Sequence, residues 1–217
     1  MKYSKDGLVL FHPQTHTYFK KGKQLQSVTS YIDTLKEKFD TELIGERYAK
    51  KHSLNKEVLL KEWSNNGEKT RTEGTALHLI FETYFKRFEL LKPVNEKQYQ
   101  AVKFINDYFI NGKLIFSSCE DIIYNDNLAG TRDAVVKNDK GEYFIFDWKT
   151  SKEISKENYG RFMLDPFQQL PDANFFHYSL QLRLYQNMTL DYKIKDCYIV
   201  QFTEKKYNFI KAHDIKI

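Results

Sequence analysis

The pattern of hydrophobic and polar positions predicts a mainly helical first half of the chain. Hydrophobic residues in segment 72–88 recur at helical spacing, which is typical of an amphipathic helix. Segment 96–110 has the same period and ends at Asn111-Gly112, a common helix stop. Shorter helices are predicted at residues 31–39, 42–51 and 56–63, with residues 64–67 as a helix breaker.

The second half of the chain has a β-rich pattern. Three successive strands are predicted because β-favouring runs are separated by turns rich in Asn, Asp and Gly. A helix is predicted at residues 173–188, and two short strands precede the first helix. The predicted strands lie at residues 8–11, 16–19, 113–124, 128–137, 142–149, 196–202 and 207–212. This order predicts an α/β (α+β) fold with a helical region before the sheet.

Composition limits the class of protein more than its function. The 217 residues suffice for one domain with a buried core, and 41% hydrophobic and 29% charged residues are typical of globular proteins. No signal peptide or apolar run of roughly 18 residues occurs, so we expect a cytoplasmic protein of a bacterium or a phage-infected cell. The net charge of +5 allows a polyanionic partner without requiring one. Cys119 and Cys197 lack C-x-x-C spacing and are predicted to be buried thiols.

Two acids and a lysine near the ends of neighbouring predicted strands are the strongest candidates for chemistry. A D-x-K pattern occurs at Asp147, Asp191 and Asp214, but only Asp147 ends a strongly apolar strand. A second acid, Asp133, lies one hairpin earlier, where antiparallel pairing can bring the two carboxylates together. The two-residue period of a strand places Lys149 on the same face as Asp147.

Such a group suits phosphodiester hydrolysis. Paired carboxylates can hold a hard divalent cation, which neutralises the phosphate and lowers the pKa of water. A lysine ammonium can orient that water or stabilise the transition state. The structural alternative is that Asp133 caps a turn and that Asp147 and Lys149 form a solvated ion pair.

Two predicted helices carry further candidates. His78 and Glu82 share one helix face, and an imidazole can complete a metal site, although a lone helical histidine is more often a core or surface residue. Gln181 and Tyr185 share a face of the later helix and could contact lysine, phosphate or a base. The alternative for this second pair is a half-buried helix stripe.

Taken together, these motifs resemble the RecB-like branch of the PD-(D/E)XK nuclease superfamily. The pattern of that branch is G-x-x-x-H, G-x-x-D, D-x-K-T and Q-x-x-x-Y. This chain has the four parts in the same order, at residues 74–78, 130–133, 147–150 and 181–185. The early Ser27-Val28-Thr29, after a strand pair with His16, also resembles the small phage and mitochondrial genome maintenance exonucleases.

The resemblance implies a restriction-endonuclease-like core, with a central mixed sheet flanked by helices. It implies one domain, 1–217, in which residues 1–70 form a strand pair and a helical wall or arch and residues 71–217 form the catalytic core. A Mg²⁺ or Mn²⁺ site is implied, and no iron–sulfur cluster is expected, because this chain lacks the cysteine cluster that some relatives in the branch add. The implied metal ligands are His78, Asp133, Asp147 and the carbonyl of Trp148. The implied catalytic residues are Asp133, Asp147, Lys149 and Glu120, and the implied DNA contacts are Ser27, Thr29, Thr150, Gln181 and Tyr185.

The expected function is that of a metal-dependent DNA nuclease. We expect a monomeric exonuclease on single-stranded DNA ends, in recombination, repair or phage DNA processing, with any helicase or recombination partner a separate protein. The helical region would follow the phosphate backbone through basic residues, with a solvated helix face as the alternative. These residues are Lys36, Lys38, Arg47, Lys50 and Lys51. The rival functions are a structure-specific endonuclease and a catalytically silent DNA-binding protein on the same fold.

Overall fold

The fold combines one large mixed β-sheet with helices on both of its faces. The computed structural model describes residues 1–37 and 40–217, and the elements below belong to this part of the chain. The strands are β1 (Lys2–Tyr3), β2 (Val9–His12), β3 (Thr17–Lys20), β4 (Lys23–Ser27), β5 (Leu114–Tyr124), β6 (Leu128–Asn138), β7 (Tyr143–Lys149), β8 (Ile194–Phe202) and β9 (Tyr207–Lys211). The helices are α1 (Val28–Thr34), α2 (Thr41–His52), α3 (Lys56–Arg87), α4 (Glu96–Ile105) and α5 (Asn174–Met188). The predicted α/β (α+β) class is confirmed.

The predicted meander of three strands forms the centre of the sheet. Strand β6 pairs antiparallel with both β5 and β7, and β7 pairs parallel with β8 after the crossover through α5. At its start β6 also pairs parallel with β4, which joins the N-terminal strands to the sheet. The sequence pattern did not predict β4 because Leu25 alone among its residues is buried.

Side-chain caps fix where the first four helices begin. In each case an oxygen of the residue before the helix accepts a hydrogen bond from a backbone N–H in the first turn. Replacing such a cap by alanine typically costs about 1 kcal/mol. The capping residues are Ser27 for α1, Asp40 for α2, Asn55 for α3 and Asn95 for α4.

Helix α3 is continuous where the sequence predicted a break. It runs through residues 64–67, and the expected division of the chain at residue 70 falls inside it. Gly67 is exposed with open space around it, so it costs only its intrinsic penalty of about 1 kcal/mol. The ring of Trp63 packs against Tyr48 of α2, and the later half of α3 is buried in the core. Packing at both ends therefore outweighs the local breaker signal.

Two other helix boundaries differ from the predicted ones. Helix α1 begins at Val28 and ends at Thr34, and Lys38 and Phe39, at the end of the predicted helix, lie outside the described residues. Helix α4 ends at Ile105 and continues as a π-helical turn, Asn106–Ile110. Within residues 1–37 and 40–217, no helix is both long enough and apolar enough to cross a membrane.

Two hydrophobic cores lie on opposite faces of the central sheet, because successive side chains of a strand point to opposite sides. Val135 of β6 packs with α1 and α5, whereas its neighbour Val136 packs with α3 and α4. Cys197 lies in the first core and Cys119 in the second. Both are buried free thiols, which confirms the interpretation of the two cysteines.

The side chain of Trp148 fixes α3 against β7. Its ring stacks on that of Phe81, with 4.1 Å between centroids and 11° between planes, and only 2% of Trp148 is exposed. Phe104 of α4 meets the same ring edge-on at 5.8 Å. Because Phe81 lies about one helical turn from His78, this stack also sets where His78 stands relative to the ends of the strands.

We expect Phe81→Ala to lower the free energy of unfolding by about 3–5 kcal/mol, because it removes a buried aromatic ring and leaves a cavity beside Trp148. Leu79→Ala is the control, since Leu79 lies on the same helix but is 52% exposed, and its effect should stay within about 0.5 kcal/mol. Urea unfolding measures both. Equal losses in the two variants would show that the stack does not fix α3.

Candidate active site

One cavity of about 570 Å³ brings together most of the residues singled out in the sequence. Helices α3 and α5, strands β5, β6 and β7 and the start of α1 all contribute side chains to its wall. The predicted site residues in its lining are Ser27, Thr29, His78, Glu120, Asp133, Asp147, Lys149, Gln181 and Tyr185. Trp148 and Thr150 are not part of this lining.

His78, Glu120 and Asp133 form a tight group on one side of the cavity. Nδ1 of His78 lies 3.2 Å from Oε1 of Glu120 and 3.7 Å from Oδ1 of Asp133. The three potential ligand atoms lie within 4.8 Å of one another, the only such group of His, Cys, Asp and Glu found among the described residues. Asp147 lines the same cavity but lies outside this group.

Glu120 reaches this group through an unusual backbone conformation. Its φ of 53° lies in the left-handed region, which non-glycine residues rarely adopt. Its neighbours Cys119 and Asp121 pair with Ala134 and Arg132 of β6, so Glu120 stands across from Asp133. Backbone strain of this kind tends to occur at functional sites, where the surrounding structure enforces it.

Asp147 and Lys149 are in direct contact, as the two-residue period predicts. Nζ of Lys149 lies 2.6 Å from Oδ2 of Asp147 and 4.9 Å from the ring centre of Tyr178. Oδ1 of Asp147 accepts a hydrogen bond from Nε2 of Gln181 at 3.2 Å. Oδ2 of Asp147 is buried, and its close polar contact is the ion pair with the Lys149 ammonium.

A backbone hydrogen bond holds the second acid in place. The N–H of Trp148 donates to Oδ2 of Asp133 at 2.8 Å, in a buried contact between β7 and β6. The other oxygen of Asp133 faces His78. The carboxylate is therefore fixed on one side by the strand that carries Asp147 and open to the cavity on the other.

Burial dominates the electrostatics of the site. It raises the pKa of Asp133, and it raises the pKa of Asp147 to about 6 despite the attraction of Lys149. Burial alone would lower the pKa of His78, but the charge of Asp133 and the hydrogen bond that His78 donates to Glu120 outweigh it and raise that pKa to about 9. Burial also acts to lower the pKa of Lys149, but the negative charge of Asp147 outweighs burial and raises that pKa. The cavity lining thus holds four carboxylates (Glu82, Glu120, Asp133 and Asp147) together with two lysines (Lys2 and Lys149) and two histidines (His16 and His78).

Steric crowding explains why the G-x-x-D motif has glycine at position 130. A Cβ at Gly130 would lie 2.6 Å from Cε1 and 2.8 Å from the hydroxyl oxygen of Tyr185, whose buried ring has little room to move. Tyr185 OH also accepts from Nε2 of Gln181 at 3.3 Å. At Gly74, in contrast, a Cβ would lie 3.8 Å from Oγ1 of Thr150, an ordinary contact, so the structure does not require glycine there.

Three predicted DNA-contact residues have structural roles of their own. The hydroxyl of Ser27 caps α1, accepting from the N–H of Ser30 at 3.0 Å, and lies 3.2 Å from that of Thr29. The carbonyl of Thr150 accepts from Nζ of Lys97 at 3.0 Å, and its side chain is buried. Contacts of Ser27, Thr29 and Thr150 with DNA stay a prediction.

The three D-x-K patterns have separate surroundings. Asp191 pairs with Arg132 at 3.2 Å and Asp214 with Arg183 at 2.6 Å, and neither acid lines the cavity. Asp147 lines it with Lys149 beside it. Of the three acids, Asp147 alone ends an apolar strand at the cavity.

Several residues in the cavity wall or next to the acids have no functional pattern in the sequence. His16 lies on the β2–β3 turn and lines the cavity, together with the buried Tyr18. Arg132, next to Asp133, is 1% exposed and bonds Asp121 at 2.9 Å and Asp191. The sequence does place this charged residue inside a strongly apolar strand. Such a position indicates a buried arginine, and a buried arginine needs carboxylate partners.

Among the described residues of the predicted basic track, none lines the cavity. Lys36 pairs with Asp33 at 2.6 Å, and Arg47, Lys50 and Lys51 are exposed on α2. Lys38 lies outside the described residues. A role of these side chains in phosphate binding stays a prediction.

Comparison with known proteins does not assign the chain to a family. No protein-family model matches the sequence, and no curated protein matches it. Among solved structures, the crystal structure of SSO0001 is similar over 88% of this chain and 68% of that one, with 15% sequence identity and a TM-score of 0.35. A likeness at this level carries no argument about the function of this protein.

We expect Gly130→Ala to lower the free energy of unfolding by about 1–3 kcal/mol, because the new methyl group overlaps the ring of Tyr185. The loss should be smaller when Tyr185→Leu is already present, by about 0.5 kcal/mol or more in a double-mutant cycle. Gly67→Ala is the matched control: it lies in open space within α3 and should stabilise the protein. Additive effects at positions 130 and 185 would contradict the proposed overlap.

Proposed function

We propose that this protein is a metal-dependent DNA nuclease of the PD-(D/E)XK type, from the RecB-like branch, which hydrolyses phosphodiester bonds. One observation carries the proposal: four motif parts that are distant in sequence meet in one cavity, with Lys149 against Asp147 and His78 beside Asp133. A solvated strand-end pair, the structural alternative, would not be buried as Asp147 is, at 2% exposure.

The donor set of the cavity fits a divalent cation. His78, Glu120 and Asp133 offer one nitrogen and two carboxylate oxygens within 4.8 Å of one another, and Asp147 lines the same cavity. Buried carboxylates with raised pKa values are stabilised by a nearby positive charge. We propose Mg²⁺ or Mn²⁺ there, held by His78, Asp133 and Asp147, with Glu120 and the carbonyl of Trp148 as further ligands. When bound, the ion would neutralise the phosphate and acidify nearby water.

Other residues of the cavity would act on the attacking water, on the phosphate and on the orientation of the two acids. The ammonium of Lys149, held by Asp147 and the face of Tyr178, is placed to orient the attacking water or to stabilise the charge that develops on the phosphate. Gln181 orients Asp147 through its amide, and the N–H of Trp148 orients Asp133. Fixing the two carboxylates before substrate arrives reduces the reorganisation that the reaction requires.

We propose single-stranded DNA ends as the substrate. Helix α2 packs against the first half of α3, and together they form a helical hairpin that carries the basic residues Arg47, Lys50 and Lys51. Further along, α3 contributes Gly74, Thr75 and His78 to the cavity wall. A hairpin that continues from the cavity wall is suited to guide a strand toward the scissile position.

The proposal is tested with purified protein and end-labelled DNA in the presence of Mg²⁺, Mn²⁺ or EDTA. Linear single strands, duplexes and closed single-stranded circles of one sequence distinguish the forms of nuclease. We expect metal-dependent degradation of the linear single strand and resistance of the circle. Rapid cleavage of the circle would assign an endonuclease, whereas DNA binding without cleavage under all conditions would assign a silent DNA-binding protein.

We expect Asp147→Asn to abolish cleavage and to weaken Mn²⁺ binding at least about tenfold, because the change removes a charge while keeping the shape of the side chain. Its thermal stability should not fall, since the charge removed is a buried carboxylate whose pKa is raised to about 6. Asp139→Asn, in the exposed β6–β7 turn, is the matched control. Wild-type cleavage by the Asp147 variant would show that the centre is assigned wrongly.

We expect Lys149→Ala to reduce the cleavage rate on the order of a hundredfold or more, as removal of one transition-state stabiliser does. Affinity for DNA should stay near that of the unmodified protein, because Lys149 would be one cation among several near the backbone. Lys140→Ala, exposed on the β6–β7 turn, controls for loss of a positive charge. Equal losses in rate and affinity would assign a phosphate-anchoring role to Lys149 instead.

A further inference from the structure

A second groove, of about 520 Å³, adjoins the catalytic cavity. The two share His16 and Ser27 in their linings, so a chain that leaves the catalytic cavity on this side enters the groove directly. On another side, Thr75 and Leu79 belong both to the cavity and to a groove along α3. The α3 groove also contains Glu68 and Arg71, whereas no charged side chain lines the second groove among the described residues.

The wall of the second groove is built from side-chain amides and hydroxyls on rigid backbone. Gln24 and Gln26 of β4 point to the same side of their strand, because Leu25 between them is buried on the other. Strand β4 is fixed by pairing with β3 and with β6. The hydroxyls of Thr15 and Thr17 face each other at 2.7 Å on the turn into β3.

Both glutamine amides are available for a ligand. Within residues 1–37 and 40–217, neither the Gln24 nor the Gln26 side chain has a hydrogen-bond partner. Each amide offers two donors and an acceptor. Neutral amides and hydroxyls commonly bind the phosphate and sugar oxygens of nucleic acids, and the absence of carboxylates avoids repulsion of a polyanion.

His16 stands at the junction between the cavity and the groove. Its φ of 52° is left-handed, and its ring meets Phe11 and Tyr18 edge-on at 5.2 and 5.9 Å. His16 is exposed, and its ring is held in place by contacts with these two aromatic side chains. A braced aromatic face beside a polar groove can stack on an unpaired base of any sequence.

We propose that the second groove is the subsite for the single strand that continues from the scissile phosphate. Gln24 and Gln26 contact its sugar–phosphate backbone, and His16 stacks on the base at the junction. The inference rests on the proposed nuclease function. A strand that reaches the cavity along α3 must leave it past the scissile phosphate on another side, and the groove that shares His16 and Ser27 with the cavity is such a side.

The test compares a long and a short substrate. The long one is an oligodeoxythymidylate of about 12 nucleotides, which spans both sites. The short one is the p-nitrophenyl ester of thymidine 5′-monophosphate, a phosphodiester that fits within the catalytic cavity. We expect Gln24→Ala/Gln26→Ala to lower the ratio of the two kcat/KM values about tenfold, mainly through the KM of the oligonucleotide.

A binding experiment separates this inference from the proposed function. Fluorescence anisotropy with the labelled oligonucleotide in EDTA should show a Kd about tenfold weaker for the double variant, and a similar loss for His16→Asn, which tolerates the left-handed backbone. The double variant Gln168→Ala/Gln169→Ala removes two exposed amides from the loop before α5 and is the matched control. Thermal unfolding confirms that each variant is folded.

The outcomes are distinct. An unchanged ratio and an unchanged Kd in the Gln24/Gln26 variant would overturn the subsite, as would an equal loss with the control pair. Weaker binding by that variant, in a protein that cuts neither substrate under any metal condition, would support the subsite and overturn the nuclease assignment. Cleavage of both substrates with no effect of the Gln24/Gln26 change would overturn the subsite alone.

Discussion

The hydrogen bond from the Trp148 N–H to Asp133 is the contact on which the arrangement of the cavity depends. It joins two neighbouring strands at the point where each one carries an acid, and it is buried. The ring of the same tryptophan lies on Phe81 and so fixes α3, the helix that brings His78 to Asp133. One residue therefore sets the spacing of three elements: its backbone orients the acid of β6, and its side chain orients the helix with the histidine.

Burial of the acids makes the electrostatics of this rigid cavity unfavourable. Asp147 is almost fully buried, and its pKa rises from the ordinary 3.8 to about 6. Since the folded protein holds the proton of this group more tightly than the unfolded chain does, its ionisation makes the protein less stable as the pH rises through that interval. Tyr185, buried beside it, has a pKa raised well above 10.0 for the same reason. Buried ionisable side chains whose charged forms are poorly stabilised are more typical of a binding or catalytic centre than of a structural core.

The sequence predicted the parts of this molecule whose pattern is local and periodic. The meander, the helix of His78 and the contact of Asp147 with Lys149 follow from periods of 2 and 3.6 residues. The breaker at residues 64–67 failed because distant packing of α3 outweighs a local propensity of about 1 kcal/mol. The left-handed backbone of Glu120 was not predictable, because it results from contacts between β5, β6 and α3 rather than from its neighbours in sequence.

The N-terminal strands show why the site could not be drawn from the motifs alone. Strand β4 joins the sheet through a short parallel contact with the start of β6, close to Gly130. That contact places Ser27 in the cavity wall, near the turn that carries His16, and Tyr18 donates to or accepts from the hydroxyl of Thr131 at 3.0 Å. None of these residues has an acidic or metal-binding pattern in sequence. The sequence pointed to Ser27 only through a resemblance, and the placement of this wall follows from a pairing between segments about a hundred residues apart.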